Sequence, residues 1–257
     1  MLKTLIYIYQ HPFNSNRKFK AIKTYFSWQF KNLINSSPVI YTYTEKTKLI
    51  ISRGVASVTG NLYCGLMEFE DMGFLLHFLR ESDLFLDVGA NVGSFTILAS
   101  GEIGASTIAV EPIPSTFKQL QDNVFLNKIS HKVKLLNIGL SSVEGILSFT
   151  NEFGATNHVD KTGVEDSIKV STKQLDAIID DKPPILIKID VEGFETEVLN
   201  GAEQVLESAD LKVIIIELNG SGARYGYDEG LIHEKLINYG FSPFTYNPFN
   251  REIVSLK

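Results

Sequence analysis

Asp190 and Glu192 follow directly on an apolar run, Ile185, Leu186, Ile187 and Ile189, and Gly193 then opens a stretch whose Phe194, Val198 and Ala202 share one helical stripe. The run reads as a strand covered on both faces, so the two acids stand at a strand's carboxyl end. That edge is the binding crevice of open α/β sheets. Glu217 and Asn219 close a second apolar run at 211–218, and Lys188 shares a strand face with Asp190 by alternation. Carboxylates so placed can take a proton from a hydroxyl or gather a divalent cation. The plain alternative is a Lys188–Asp190 ion pair at the rim with no part in catalysis.

A second group lies 100 residues earlier, where Asp87 precedes Gly89-x-Asn91-x-Gly93 at a strand-to-helix corner. Small residues there let the backbone close on a ligand. The spacing departs from the G-x-G-x-x-G of dinucleotide sites, and an acid beside the loop suits a cationic ligand better than a pyrophosphate. Glu111 ends the next strand 22 residues after Gly89, near the ~20 at which a carboxylate takes ribose hydroxyls. On this evidence alone an adenosine cofactor is implied and a nicotinamide one remains open.

Positioning these residues requires alternating elements. Strands are expected at 84–88, 107–111, 133–138, 185–190 and 211–218, with helices at 92–101, 114–127, 194–206 and 229–239 between and after them. Pro114 suits a first helical turn. Such alternation predicts parallel strands joined by right-handed crossovers. Strand-like 146–150 and 168–171 flank a polar insertion beside the crevice, a natural place for substrate contacts. Two last strands, 241–246 and 252–256, are spaced for a hairpin around Asn247-Pro248-Phe249-Asn250. The organisation expected is an N-terminal extension over 1–60, holding strand-like 39–43 and 49–52, and one catalytic domain over 61–257, opened by a helix near 68–80.

Lys188-Ile-Asp190-Val-Glu192-Gly-Phe-Glu195, with Leu86-Asp87-Val-Gly89-Ala-Asn91-Val-Gly93 and Val110-Glu111-Pro112, resembles the FkbM-type methyltransferases, a branch of the S-adenosylmethionine-dependent enzymes. The resemblance covers about residues 62 to 257. It implies a Rossmann-like class I methyltransferase fold, a mostly parallel sheet ending in an antiparallel hairpin, with Asp190 and Glu192 beside Glu217 on neighbouring strands. It implies O-methylation of a hydroxyl on a sugar, glycan or secondary metabolite, with S-adenosylmethionine along Asp87, Gly89, Asn91 and Gly93 and its ribose on Glu111. The adenine would lie near Asn137 to Ser142. Asp190, Glu192, Glu217 and Lys188 are then the catalytic candidates, a divalent cation being one way to arm them. Asn157-His158 also resembles a family element, and His158 could accept a proton. An NAD-dependent oxidoreductase and a non-catalytic adapter are the competing readings.

Composition narrows the partners. Residues 1 to 44 hold Lys3, Arg17, Lys18, Lys20, Lys23 and Lys31 and no acid, leaving 18 basic and 30 acidic residues after them, a net of −12. That body is an awkward surface for nucleic acid. Phe19, Ile22, Phe26, Phe30 and Leu33 recur at helical spacing among the lysines, so residues 17–34 could pack on the protein itself or lie on an anionic membrane. No run approaches the ~20 apolar residues of a membrane span, the start is too short for a secretory signal, and the single Cys64 forms no internal disulfide. A cytoplasmic protein is expected, and oligomeric state is left open.

Overall fold

The computed structural model describes every residue except 36, 53–55, 152–155, 161–162, 164–166, 181 and 257. The polar loop of the insertion therefore lies in part outside the described residues. Two helices come first, α1 (Leu2–Gln10) and α2 (Lys18–Ile34), folded against each other around Pro12–Asn14. Buried Asn14 locks the corner, its side-chain amide donating to the carbonyls of Ile8 at 2.9 Å and Tyr63 at 3.3 Å. A ladder of β1 (Val39–Thr42) with β2 (Lys48–Ile51) follows, then α3 (Ala56–Cys64) and α4 (Phe69–Phe78). Ala21, Tyr25 and Trp28 of α2 share one core with Leu75, Phe85 and Leu186. One face of the basic helix is thus packed on its own protein.

The alternating part contributes β3 (Leu84–Val88), α5 (Ser94–Ile97) running into a π-helical turn at Leu98–Ile103, β4 (Ser106–Val110), α6 (Pro114–Leu126) and β5 (Val133–Leu136). The insertion forms β6 (Gly139–Leu140), β7 (Gly145–Phe149) and β8 (Ile168–Lys173), a small sheet of order β6-β8-β7. After it come β9 (Leu186–Ile189), α7 (Glu195–Asn200), α8 (Glu203–Glu207), β10 (Val213–Ile216) and α9 (Glu229–Asn238). The single helix expected at 194–206 is broken in two at Gly201, where a Cβ would lie 2.3 Å from the Ser141 carbonyl oxygen. The break frees α8 to be capped from outside, as the Asp176 carboxylate accepts from the amides of Gln204 and Val205, each at 3.0 Å.

Five strands pair in parallel in the order β10-β9-β3-β4-β5. The chain winds one way from β3 through β4 to β5 and the other way through β9 to β10, so the order reverses between β3 and β9. Ligands bind outside the carboxyl ends of strands at such a switch point. Register there sets Asp87 opposite Lys188 and Lys188 opposite Ile215, a row across three strands just below the crevice.

The terminal hairpin forms from β11 (Phe244–Asn247) and β12 (Glu252–Ser255), but as a ladder of its own: the expected continuation of the sheet into it is not made. α4 holds it instead. Phe74 packs edge-on to Tyr246 at 5.1 Å and against Phe244 at 5.5 Å, and His77 Nδ1 bonds the Tyr246 hydroxyl at 2.7 Å. These aromatic contacts seat the hairpin over α4 and leave a groove between it and β10.

Candidate active site

At the corner after β3, Gly89 has φ +76° and a Cβ there would stand 1.8 Å from the carbonyl oxygen of Asp190. Only glycine lets the two strand ends meet so closely. The amides of Gly89 and Ala90 donate to the Val110 carbonyl, and Asn91 takes a left-handed φ of 51°. Glu111 closes the corner from the neighbouring strand, its Oε2 accepting from the Asn91 amide and its Oε1 from the Ile113 amide, both at 2.9 Å. Burial pushes the Glu111 carboxyl up to about 7, against the pull of those two amides.

Gly89, Asn91 and Glu111 line a pocket of about 630 Å³, counting the solvent at its mouth, which extends to Ile138, Leu140, Phe149 and Val159 on one side and Asp190 and Glu192 on the other. The insertion expected to approach the crevice does so through Phe149, Asn157 and Val159. Asp87 and Gly93 lie deeper. Asp87 is 1% exposed and accepts from Thr96 Oγ1 at 2.6 Å, while Gly93, φ +94°, is backed by Leu120. Asn137 ties the pocket's wall, its amide donating to the carbonyls of Glu111 and Pro112.

The corner after β9 carries the reactive set. Lys188 is buried, with Nζ 2.8 Å from Asp190 Oδ2 and 4.8 Å from the centre of the Phe95 ring. Burial opposes its charge, yet Asp190, Glu68 and Asp87 outweigh that and raise its pKa, so the ammonium persists. Glu192 sits at a left-handed φ of 55°, and burial, with Asp190, Glu217 and Glu195 nearby, pushes its carboxyl up to about 7. Gly193, φ +98°, has the Ser221 backbone 2.5 Å from where a Cβ would stand. Glu195 then caps the corner from its own helix, Oε1 accepting from the amides of Gly193 at 3.1 Å and Val191 at 3.2 Å. Glu217 is exposed at the end of β10 and accepts from the Asn219 side-chain amide.

Residues outside the sequence reading complete the arrangement. Glu68, before α4, is pushed up to about 7 by burial, with Lys188 pulling down and Asp190, Asp71 and Glu217 pushing up, so it belongs to the same charge cluster. Arg224 donates to the Glu192 carbonyl at 3.2 Å, and the Tyr225 hydroxyl donates to the Val159 carbonyl at 2.8 Å while its ring meets Phe194 edge-on at 5.3 Å. The loop after β10 thereby joins the insertion to the reactive corner. The only sequence signal for it was the Gly220–Gly226 cluster of turn formers around aromatic and basic residues. His158 Nδ1 bonds the Thr156 carbonyl, and buried Cys64 has its thiol raised to about 11 by burial, a packing role.

Among the described residues no three His, Cys, Asp or Glu side chains converge to hold a metal ion. Lys188 Nζ already neutralises Asp190 where a cation would stand, so the divalent-cation version of the sequence reading does not fit and no step is assigned to it. An adenosine cofactor does fit: an apolar slot adjoins a carboxylate whose two oxygens each hold only one amide and retain lone pairs for hydroxyl donors.

The parallel sheet, its switch-point crevice and the glycine corner define a Rossmann-like fold of the class I methyltransferase type. A crystal structure of Methyltransferase FkbM from Methylobacillus flagellatus KT matches it with a TM-score of 0.50 and 17% identity, over 77% of this chain and 52% of that one. By sequence, the chain belongs to the FkbM methyltransferase family, whose Methyltransferase FkbM domain matches residues 87–243. It is 34% identical over 145 residues to Hexuronic acid methyltransferase AglP of Haloferax volcanii, covering 55% of this chain and 59% of that protein. It is 27% identical over 192 residues to Methyltransferase sdnD of Sordaria araneosa, covering 61% of this chain and 74% of that one. The chain therefore spans less than two thirds of AglP. Family membership leaves the oxidoreductase reading without support.

Proposed function

We propose that this chain is an S-adenosylmethionine-dependent O-methyltransferase whose acceptor is a hydroxyl of a sugar, glycan or small secondary metabolite. The observation that carries it is the contact of the two corners. Gly89 touches the Asp190 backbone, so a pocket fit for adenosine opens directly onto carboxylates fit to handle a hydroxyl. The hexuronic acid relative supports a sugar acceptor.

Glu111 would take the ribose hydroxyls, the turn at Gly89 to Gly93 would hold the methionine end with buried Asp87 supplying negative charge from below, and Ile138, Leu140, Phe149 and Val159 would sandwich the adenine. S-adenosylmethionine, bound there, supplies an electrophilic methyl group. The chain's own work is to align the acceptor oxygen and relieve it of its proton. Asp190, fixed in place by its ion pair with Lys188, orients the hydroxyl, and Glu192, poised about 7, is matched in basicity to accept the proton near neutral pH. Glu217 and Glu68 add negative charge around them.

Asp190→Asn keeps the shape and removes the charge that orients the hydroxyl, so turnover should fall ~10²-fold with cofactor affinity little changed. Glu192→Gln should abolish the rise in rate as pH passes about 7. Turnover can be followed as labelled methyl transfer onto a panel of hexuronic acids and other sugars. An Asp190→Asn enzyme working at the wild-type rate would reduce that corner to structure.

A further inference from the structure

α2 is apolar on two opposite sides. Ala21, Tyr25 and Trp28 are buried on the body, with Tyr25 edge-on to Tyr63 of α3 at 5.3 Å. At 100° per residue, Phe19, Phe26, Phe30 and Leu33 fall within one narrow stripe on the far side. Their exposures are 84%, 50%, 65% and 80%, which a folded protein does not leave in water without a use. The same periodicity sets the exposed Lys20, Lys23 and Lys31 along one flank of the stripe. α1 repeats the theme with exposed Leu2, Ile6 and Tyr9, and Lys18 Nζ lies 4.1 Å over the Tyr9 ring where the two helices meet.

We infer that this helical hairpin is a docking surface for an anionic lipid bilayer. Charge decides the occupant. Residues 1 to 44 contain six cations and no acid, and among the described residues no ion pair involves any of the six. A second copy related by a two-fold axis would bring lysines against lysines around the stripe, whereas a sheet of anionic headgroups over acyl chains satisfies both the lysines and the phenylalanines. The body, at −12, is repelled by the same surface, so only this end faces it. The hairpin is also tied by hydrogen bonds to the segment that carries Glu68. The Tyr7 hydroxyl donates to the Met67 carbonyl at 2.7 Å and His11 Nε2 bonds it at 3.1 Å, one residue before Glu68 of the charge cluster. This inference stands apart from the methyl-transfer reading, since its test needs no turnover.

The full chain should sediment with vesicles containing about one third phosphatidylglycerol and not with pure phosphatidylcholine, and should be released by salt. Phe19→Ser with Phe30→Ser and Leu33→Ser, all at exposed sites, should weaken vesicle binding at least tenfold while the melting temperature and near-ultraviolet dichroism stay unchanged. Lys20→Glu with Lys23→Glu and Lys31→Glu should weaken it as much. Absence of binding to anionic vesicles, or binding that both variants retain, overturns the inference. So does a concentration-dependent dimer in sedimentation equilibrium that the serine variant abolishes, which would assign the stripe to a second copy.

Discussion

The two strand-to-helix corners of the crevice are built from the same parts and closed in opposite ways. Each has a left-handed glycine pressed against a foreign backbone, Gly89 on Asp190 and Gly193 on Ser221, and a left-handed non-glycine beside it, Asn91 or Glu192. Each is capped by a carboxylate that takes two amides. At the first corner the cap, Glu111, comes from the next strand and lies in the pocket wall. At the second the cap, Glu195, comes from the corner's own helix and is buried beneath it, which leaves Asp190 and Glu192 facing the pocket. One cap doubles as a ligand for what binds; the other frees its neighbours to react.

The largest test of this contrast is Lys188→Met. Losing the cation breaks the Lys188–Asp190 ion pair and should cost ~3–5 kcal/mol in urea unfolding, part of it recovered when Asp190→Asn is added. A loss under ~1 kcal/mol would mean that the second corner is not organised around Lys188. Next, Gly89→Ala and Gly193→Ala each force a Cβ into backbone at a left-handed φ, a penalty of about 3 kcal/mol or more. Since Gly89 is the tighter contact, its variant should melt first. Glu111→Gln should weaken cofactor binding by about 1–3 kcal/mol in calorimetry.

That variant carries a pH signature. The ionised carboxylate is the better acceptor for hydroxyls, so wild-type affinity should climb as pH passes about 7 and level above it, and the glutamine variant should lack the step. Stability runs the other way. A carboxyl raised from 4.5 to about 7 in the folded state binds its proton more tightly there, so its contribution is complete below 4.5 and lost as pH rises through about 7. The smallest effect belongs to Glu195→Gln, which keeps an acceptor for both amides: about 1 kcal/mol in stability, with turnover changed less than tenfold.

What the sequence made legible was local. Alternating apolar runs ending in acids, and glycines two or three residues further on, mark strand ends and corners because strand burial and positive φ depend on near neighbours. The family motif then added which corners belong together. Depth was not legible: both faces of β3 are covered, so alternation could not show that Asp87 lies beneath its loop and Glu111 on the pocket. Nor was Glu68 visible as a member of the cluster, since it comes from a segment more than 100 residues away and joins Lys188 only through folding. α3 escaped because Val58, Thr59 and Gly60 are poor helix formers; Gly60 is there to admit Met67, whose Sδ would stand 2.0 Å from a Cβ.

The hairpin that sits on α4 rather than on the sheet leaves β10, among the described residues, paired along one side only. Val213 and Glu217 send their amides to Ile185 and Ile189 of the neighbouring strand, and in a parallel ladder the intervening Ile214 and Ile216 amides must point the other way, into the groove before Phe244 and Tyr246. In deuterated water such a strand should therefore exchange in alternation, slow at 213, 215 and 217 and fast at 214 and 216. The open seam makes β10 a built-in clock for the fold, since the slow positions report opening of the whole sheet and the fast ones only access of solvent to the groove.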